Sequence, residues 1–243
     1  MKPISTQRSK KLVQISLSDE GFRYGLGIFE TLVIVAGHPL FKNWHWEQFC
    51  LSAKALGLSQ PDSKIFEKIP AQNGIWRWFV TPAGSFEFFE KGIPQVPQSL
   101  SLEISPLRLS SQSWDARYKT LSYLLHLQAK QQSQRDEVVL LNEQGEIASA
   151  AMANIFWVKN GVIYTPSVDA GCRAGITRRW ILEQKETPIV QGLWKLSALQ
   201  KADEIFLTNS RLGICPVRTL EKQKFPVGKI TQKLQELYSE EIC

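Results

Sequence analysis

The feature that most constrains the fold is a series of short strand-like runs separated by turn residues. One such run, Ile28–Val35, is mostly β-branched or aromatic and ends at the turn residues 36–39. Such a run predicts a strand, and the turn that follows predicts a hairpin. Similar runs lie at 75–80, 85–89, 99–104, 137–141, 155–158, 162–165 and 204–207.

Helices are predicted where apolar residues recur at three- and four-residue steps. One helix follows Asn43, and a shorter one follows Asp62. A long helix is predicted over 114–135, another opens at Gly175, and the last covers 228–242. This alternation of strands and helices predicts an α/β (α+β) fold of two lobes that meet along a cleft, where ligands commonly bind.

The chain length suits either one large domain or two of ordinary size, at 243 residues. Residues 106–113 are polar, lack periodicity and are the predicted interdomain linker. We therefore expect a small N-terminal α/β domain over 1–105 and a larger C-terminal α/β domain over 114–243.

Composition narrows the classes of partner. At 43% hydrophobic and 21% charged residues, the chain is not a disordered polymer. Its net charge of +6 suits an anionic cofactor or carboxylate substrate, and the basic residues are spread out, so no nucleic-acid partner is expected. Four scattered cysteines and three histidines indicate neither a metal site nor a disulfide framework, which favours a cytoplasmic location. We expect no membrane segment and no signal peptide.

Six segments resemble, in order, the signature motifs of the class IV pyridoxal-phosphate (PLP) enzymes. This family contains branched-chain and D-amino-acid aminotransferases and 4-amino-4-deoxychorismate lyase. The matching segments are DEGFRYGLGIFET at 19–31, RYKTLSYL at 117–124, ANIF at 153–156, YTP at 164–166, AGITR at 174–178 and FLTNS at 206–210. One such match is weak evidence, but six in register identify the chain as a member of the family.

The resemblance implies a two-domain D-amino-acid aminotransferase-like fold (fold type IV) in a homodimer, with pyridoxal 5'-phosphate bound to a lysine as a Schiff base. Lys119 stands at the matching position and is the expected catalytic residue. Lysine suits this chemistry because a desolvated amine attacks an aldehyde readily. Without the resemblance, Lys119 reads as a solvated helix lysine.

Further residues are assigned to the cofactor by the same resemblance. The phosphate is expected near Gly175, Ile176 and Thr177, because a helix start presents free N–H groups to an anion. Ser210 matches a hydroxyl that serves the same phosphate, and Tyr123 matches a position near the phenolic oxygen of the cofactor. The alternatives are a turn glycine, a strand-end hydroxyl and a core tyrosine.

One departure from the family pattern concerns the phosphate. Gln48 stands where relatives carry an arginine, and the lost charge-assisted bond is worth about 1.5–3 kcal/mol. Arg173 is a candidate to replace that charge, the alternative being a solvent-facing loop arginine.

The second departure is Ser149, which stands where relatives carry the glutamate that keeps the pyridine nitrogen protonated. A neutral hydroxyl should leave the ring a weaker electron sink. Glu146, three residues earlier, is expected to point to the opposite face of its strand and not to substitute.

Weak electron withdrawal favours β-elimination over transamination, because elimination expels its leaving group almost as the proton departs. The expected activity is therefore that of 4-amino-4-deoxychorismate lyase, which eliminates pyruvate to give 4-aminobenzoate for folate biosynthesis. An aminotransferase acting on branched-chain or D-amino acids with 2-oxoglutarate is the alternative. A PLP-binding relative with reduced catalysis is a second alternative. In the first two cases the partner is a small-molecule amino substrate.

Overall fold

The computed structural model describes residues 14–92 and 95–242. Its helices are α1 (Glu20–Tyr24), α2 (Lys42–Ala55), α3 (Trp114–Arg117), α4 (Leu124–Gln132), α5 (Ile176–Leu182), α6 (Ser197–Gln200) and α7 (Lys229–Ile242), with 3-10 turns at Ser63–Lys68 and Val168–Ala170. Its strands are β1 (Ile28–Val35), β2 (His38–Pro39), β3 (Gly74–Thr81), β4 (Gly84–Lys91), β5 (Leu100–Leu109), β6 (Glu137–Asn142), β7 (Ile147–Ala150), β8 (Asn154–Lys159), β9 (Val162–Pro166), β10 (Ile189–Gly192), β11 (Glu204–Asn209), β12 (Gly213–Leu220) and β13 (Gln223–Lys224).

The strands form two sheets, which confirms the predicted α/β (α+β) class. The smaller sheet is antiparallel with the order β2-β1-β3-β4. The larger one has the order β10-β9-β8-β11-β12-β5-β6-β7, with β13 paired to β12. Parallel pairs join β5 to β6, β5 to β12 and β9 to β10, and the remaining pairs are antiparallel.

Each sheet is anchored by its own apolar core. In the smaller sheet, Leu32 and Trp78 pack against Phe49 of α2, and all three side chains are almost fully buried. In the larger sheet, the rings of Phe156 and Phe206 stack at 5.2 Å beneath α5 and α7. Burial of such side chains is the main stabilising contribution, about 1.5–3 kcal/mol for each.

The predicted helix over 114–135 is wrong. The chain forms only α3 and α4, and residues 118–123 between them are not helical. Helical hydrogen bonds are not made there because the backbone pairs with the start of β1 instead. Phe29 N–H donates to the carbonyl of Lys119, and Leu121 N–H donates to that of Gly27, both at 2.9 Å. Lys119 is therefore not a helix residue.

The predicted linker over 106–113 begins inside a strand, since β5 continues to Leu109 and pairs with β6 beyond the predicted end at 104. Pro106 is accommodated because the pairing register shifts between Ile104 and Arg108, where a residue without an N–H group costs no ladder bond. The division into two domains near this point stays a prediction. In the described ranges, no helix has the length and apolar character needed to cross a bilayer.

Candidate active site

A cleft of about 660 Å³, including the space at its mouth, forms where the 116–126 segment, the turn after β7, the start of α5 and the end of β11 converge. Eight of the nine residues predicted to bind the cofactor line it: Gln48, Lys119, Tyr123, Ser149, Arg173, Gly175, Ile176 and Ser210. Thr177 does not line the cleft, because its side chain is buried on the inner face of α5. The contribution left to Thr177 is that of its backbone N–H.

Lys119 directs its amine into the cleft from the non-helical segment 118–123 beside β1. The side chain is 25% exposed, and Nζ lies 5.1 Å from the centroid of the Phe29 ring. The close approach requires glycine at position 27, because a Cβ there would lie 2.7 Å from the backbone oxygen of Val80 and 2.6 Å from a methyl group of Leu121. The GLG sequence at 25–27 thus serves the seating of the lysine segment on β1.

A buried polar pair that our sequence analysis missed lies beside this amine. Oε2 of Glu30 is 3.9 Å from Nζ of Lys119 and 2.7 Å from Nδ1 of His45. Burial raises the pKa of the Glu30 carboxyl, but the charges of Lys119 and His45 and the hydrogen bond from His45 bring that pKa below its ordinary value. Nε2 of His45 faces Oγ of Ser210 at 3.4 Å. The available signal was an acidic residue inside an otherwise apolar strand.

Arg173 lies at the Tyr123 side of the cleft. Its guanidinium donates hydrogen bonds to the Tyr123 hydroxyl, to the carbonyl of Asp115 at 3.1 Å, and to Nε2 of His126 at 3.2 Å. Burial, together with the charge of Arg173, lowers the pKa of His126 to about 4. His126 is therefore neutral near pH 7, and its Nε2 accepts a hydrogen bond from the guanidinium of Arg173.

Ser149 presents a neutral oxygen to the cleft. Its hydroxyl donates to the carbonyl of Ala153 at 2.8 Å, so only lone pairs remain to face a ligand. Glu146 does not line the cleft, as predicted, because its carboxylate accepts from Asn142 at 3.1 Å and pairs with Lys195 at 3.4 Å. Among the described lining residues, Glu30 is the only carboxylate.

The start of α5 forms a cradle next to this neutral position. A Cβ on Gly175 would lie 2.3 Å from Oδ1 of Asn154, so glycine is required there. Asn154 has little freedom to yield, because its amide donates to the carbonyl of Arg173 at 2.8 Å. Oγ1 of Thr208 is buried at the cleft and finds no hydrogen-bond partner among the described residues.

These features fit PLP. The free amine of Lys119 suits the aldehyde, while the unpartnered Thr208 hydroxyl and the first N–H groups of α5 suit a phosphate. Gln48 and Ser149, the two departures from the family pattern, also line the cleft. Within the described ranges, no group of three His, Cys, Asp or Glu side chains is arranged to hold a metal ion.

Comparison with known proteins agrees with this site. The family model for amino-transferase class IV matches residues 81–220. An aminodeoxychorismate lyase of Bacillus subtilis is 32% identical over 262 residues, which cover 94% of this chain and 89% of that protein. A D-alanine aminotransferase of Listeria monocytogenes is 24% identical over 263 residues, covering 94% and 91%.

Solved structures agree as well. The crystal structure of 4-amino-4-deoxychorismate lyase from Pseudomonas aeruginosa has a TM-score of 0.84 at 25% identity, and the match covers 94% of this chain and 96% of that one. This similarity confirms the expected D-amino-acid aminotransferase-like fold, fold type IV. The chain therefore belongs to the amino-transferase class IV family of PLP-dependent lyases and transaminases.

Proposed function

We propose that the chain is a PLP-dependent lyase that eliminates pyruvate from 4-amino-4-deoxychorismate and leaves 4-aminobenzoate. The observation that carries this choice is Ser149, whose neutral oxygen faces a cleft that also holds the amine of Lys119. A site without a carboxylate at this position withdraws electrons weakly and favours a reaction that needs little delocalisation. The similarity to the Bacillus subtilis lyase supports the same choice.

The residues that would hold the cofactor surround the cleft. Lys119 would join the aldehyde, and Tyr123 would approach the phenolic oxygen. The phosphate would be held by the backbone at Gly175, Ile176 and Thr177 and by the hydroxyls of Thr208 and Ser210, with Gln48 as a neutral neighbour. When bound, PLP supplies an electron sink for the carbon that carries the amino group.

Lys119 would act as the base of the elimination. Its neutral amine takes the proton from the carbon that bears the substrate's amino group, so that a C–H bond breaks and an N–H bond forms. The electron pair expels the neighbouring enolpyruvyl oxygen by cleavage of its C–O bond, and protonation of the released enol gives pyruvate. The substrate ring becomes aromatic in the same step, which supplies driving force.

An aminotransferase acting on branched-chain or D-amino acids with 2-oxoglutarate is the second candidate. The similarity to the Listeria monocytogenes D-alanine aminotransferase favours it, as do the motifs FET at 29–31 and TNS at 208–210, which resemble aminotransferases. The neutral oxygen of Ser149 argues against it.

The proposal includes a homodimer in the cytoplasm that supplies 4-aminobenzoate to folate biosynthesis. An apolar groove on the smaller sheet, bordered by the exposed Phe22, supports a second copy of the chain as its cover. The described cysteines Cys50, Cys172 and Cys215 are free thiols, which suits a reducing compartment. Light scattering of the purified protein measures the mass of the assembly.

The decisive experiment supplies 4-amino-4-deoxychorismate to the PLP-loaded protein and measures pyruvate and 4-aminobenzoate. We expect equal amounts of the two products. Lys119→Ala should abolish both products and the visible absorption band of bound PLP, whereas Lys64→Ala, a control at an exposed lysine, should leave them unchanged. Glutamate formed from amino acids and 2-oxoglutarate, without pyruvate, would establish the aminotransferase. An unchanged band in Lys119→Ala would refute the role of Lys119.

A further inference from the structure

We propose that Glu30 is the counter-ion of Lys119, a positioning residue that holds the lysine amine at the cleft and stabilises its protonated form. The inference rests on the proposed function in one respect, namely that Lys119 takes up the substrate's proton. A base that gains a proton in a partly buried site becomes a cation there, and a nearby carboxylate stabilises that cation.

The geometry directs one carboxylate oxygen toward the lysine. Oε2 of Glu30 lies 3.9 Å from Nζ of Lys119, and the same atom accepts from Nδ1 of His45 at 2.7 Å and from the backbone N–H of Thr31 at 3.1 Å. The side chain of Glu30 is 5% exposed and that of His45 is 2% exposed, so water screens this group little.

Among the described residues that line the cleft, no carboxylate other than that of Glu30 could serve as the counter-ion. The titratable groups that face Glu30 are His45 from α2 and Lys119 from the 118–123 segment. Both groups favour its ionised form. On the other side of the His45 ring, the Ser210 hydroxyl lies 3.4 Å from Nε2. The contact between His45 and Ser210 therefore joins α2 to the end of β11.

A purely structural role is the competing explanation, in which Glu30 only ties α2 to β1 through His45. Glu30→Gln separates the two roles, because an amide oxygen still accepts from His45 and from the backbone N–H of Thr31 but carries no charge. If Glu30 is purely structural, Glu30→Gln should leave the reactivity of Lys119 unchanged. If Glu30 is the counter-ion, Glu30→Gln should change that reactivity.

The first experiment measures the reactivity of Lys119 in the full-length protein freed of cofactor. The protein is treated briefly with acetic anhydride at pH 8, and acetylation of each lysine is quantified by peptide mass spectrometry. We expect Lys119 to react about ten times faster in Glu30→Gln, because the ammonium form loses the carboxylate that lies 3.9 Å from it in the wild type.

The matched control is Glu47→Gln, which removes a carboxylate from the exposed side of α2, where it pairs with Arg179. This variant should leave acetylation of Lys119 unchanged. An equal rate for Lys119 in the wild type and in a folded Glu30→Gln variant would overturn the proposal, whatever the outcome of the pyruvate assay. Because no cofactor or substrate is present, this test and the test of the proposed function fail independently.

A second measurement titrates Glu30 itself. Lys119→Met removes the cation and leaves Glu30 in place, and the carboxyl band of Glu30 is then titrated by difference infrared spectroscopy, with Glu30→Gln used only to assign the band. We expect the midpoint of protonation to rise by about one pH unit or more relative to the wild type. A midpoint that does not move would show that the two side chains are not electrostatically coupled.

Discussion

The guanidinium of Arg173 donates a hydrogen bond to the hydroxyl of Tyr123 and lies over the same ring, 4.6 Å from its centroid. Further bonds from Arg173 to the carbonyl of Asp115 and to the ring of His126 tie the approach to α5 to α3 and α4, which flank the segment that carries Lys119. These contacts favour a role for Arg173 in positioning Tyr123. That Arg173 replaces the phosphate-binding arginine that relatives carry at the position of Gln48 stays a prediction.

Arg173→Gln should weaken the binding of PLP about tenfold. The expected loss arises because a neutral amide cannot maintain the charge-assisted bonds that hold Tyr123 at the cleft, each worth about 1.5–3 kcal/mol. Titration of the cofactor-free protein with PLP, followed by absorbance, measures the change. Arg117→Gln is the matched control, since Arg117 is exposed on α3 and bonds only to Gln112 among the described side chains. An equal loss in both variants would contradict the assignment.

The lowered pKa of His126 predicts that the protein is less stable in mild acid. The pKa of the His126 imidazole is about 4 in the folded protein, and its ordinary value is 6.5. Between pH 6.5 and pH 4, the imidazole is therefore protonated in the unfolded chain and neutral in the folded chain. The free energy of unfolding should therefore fall as the pH drops from 6.5 to 4, by about 3 kcal/mol from this group.

Urea unfolding of the wild type and of His126→Gln at pH 7 and pH 4.5 tests this prediction. The amide still accepts from Arg173 but does not titrate, so the variant should lose less stability between the two pH values. Glu30 affects stability only at lower pH. Because the pKa of its carboxyl in the folded protein is below the ordinary value of 4.5, the stability that the ionised carboxylate contributes is lost only when the pH falls below 4.5. Equal losses in the two proteins would show that His126 is not the titrating group.

Local patterns in the sequence predicted β1, β3, β4, β5, β6, β8, β9 and β11 but missed β7, β10, β12 and β13. The family motifs placed eight of the nine predicted cofactor residues at the cleft. Ile28–Val35 is apolar enough to predict β1, and the family motif places Lys119 without reference to contacts. The helix over 114–135 failed because periodicity does not show where the backbone bonds, and at Lys119 it bonds to β1. The contact between Glu30 and His45 joins β1 to α2 and is visible only once α2 packs on the sheet.

Gln48→Arg should tighten the binding of PLP by about tenfold to a hundredfold. The position lines the cleft on α2 beside Gly175, so an added guanidinium would lie near the start of α5, where the phosphate is expected. The gain corresponds to one charge-assisted bond of about 1.5–3 kcal/mol. Equilibrium dialysis measures it, with Gln48→Met as a neutral control of similar length. No gain over the methionine variant would place the phosphate elsewhere.

Ser149→Glu should confer transamination at the expense of elimination. A carboxylate at this position would favour a protonated ring nitrogen and strengthen the electron sink, by an amount equivalent to about 1–3 pKa units. We expect the amino-transfer half-reaction with D-alanine, measured as pyruvate formed in a single turnover without 2-oxoglutarate, to rise at least tenfold.

Ser149→Gln is the control, since it matches the size of glutamate and equally disrupts the hydrogen bond to Ala153 but adds no charge. A rise shared by both variants would trace the effect to the altered turn after β7. A rise confined to the glutamate variant would show that the charge at position 149 selects between the two reactions of this family. No rise in either would contradict the argument that led from Ser149 to a lyase.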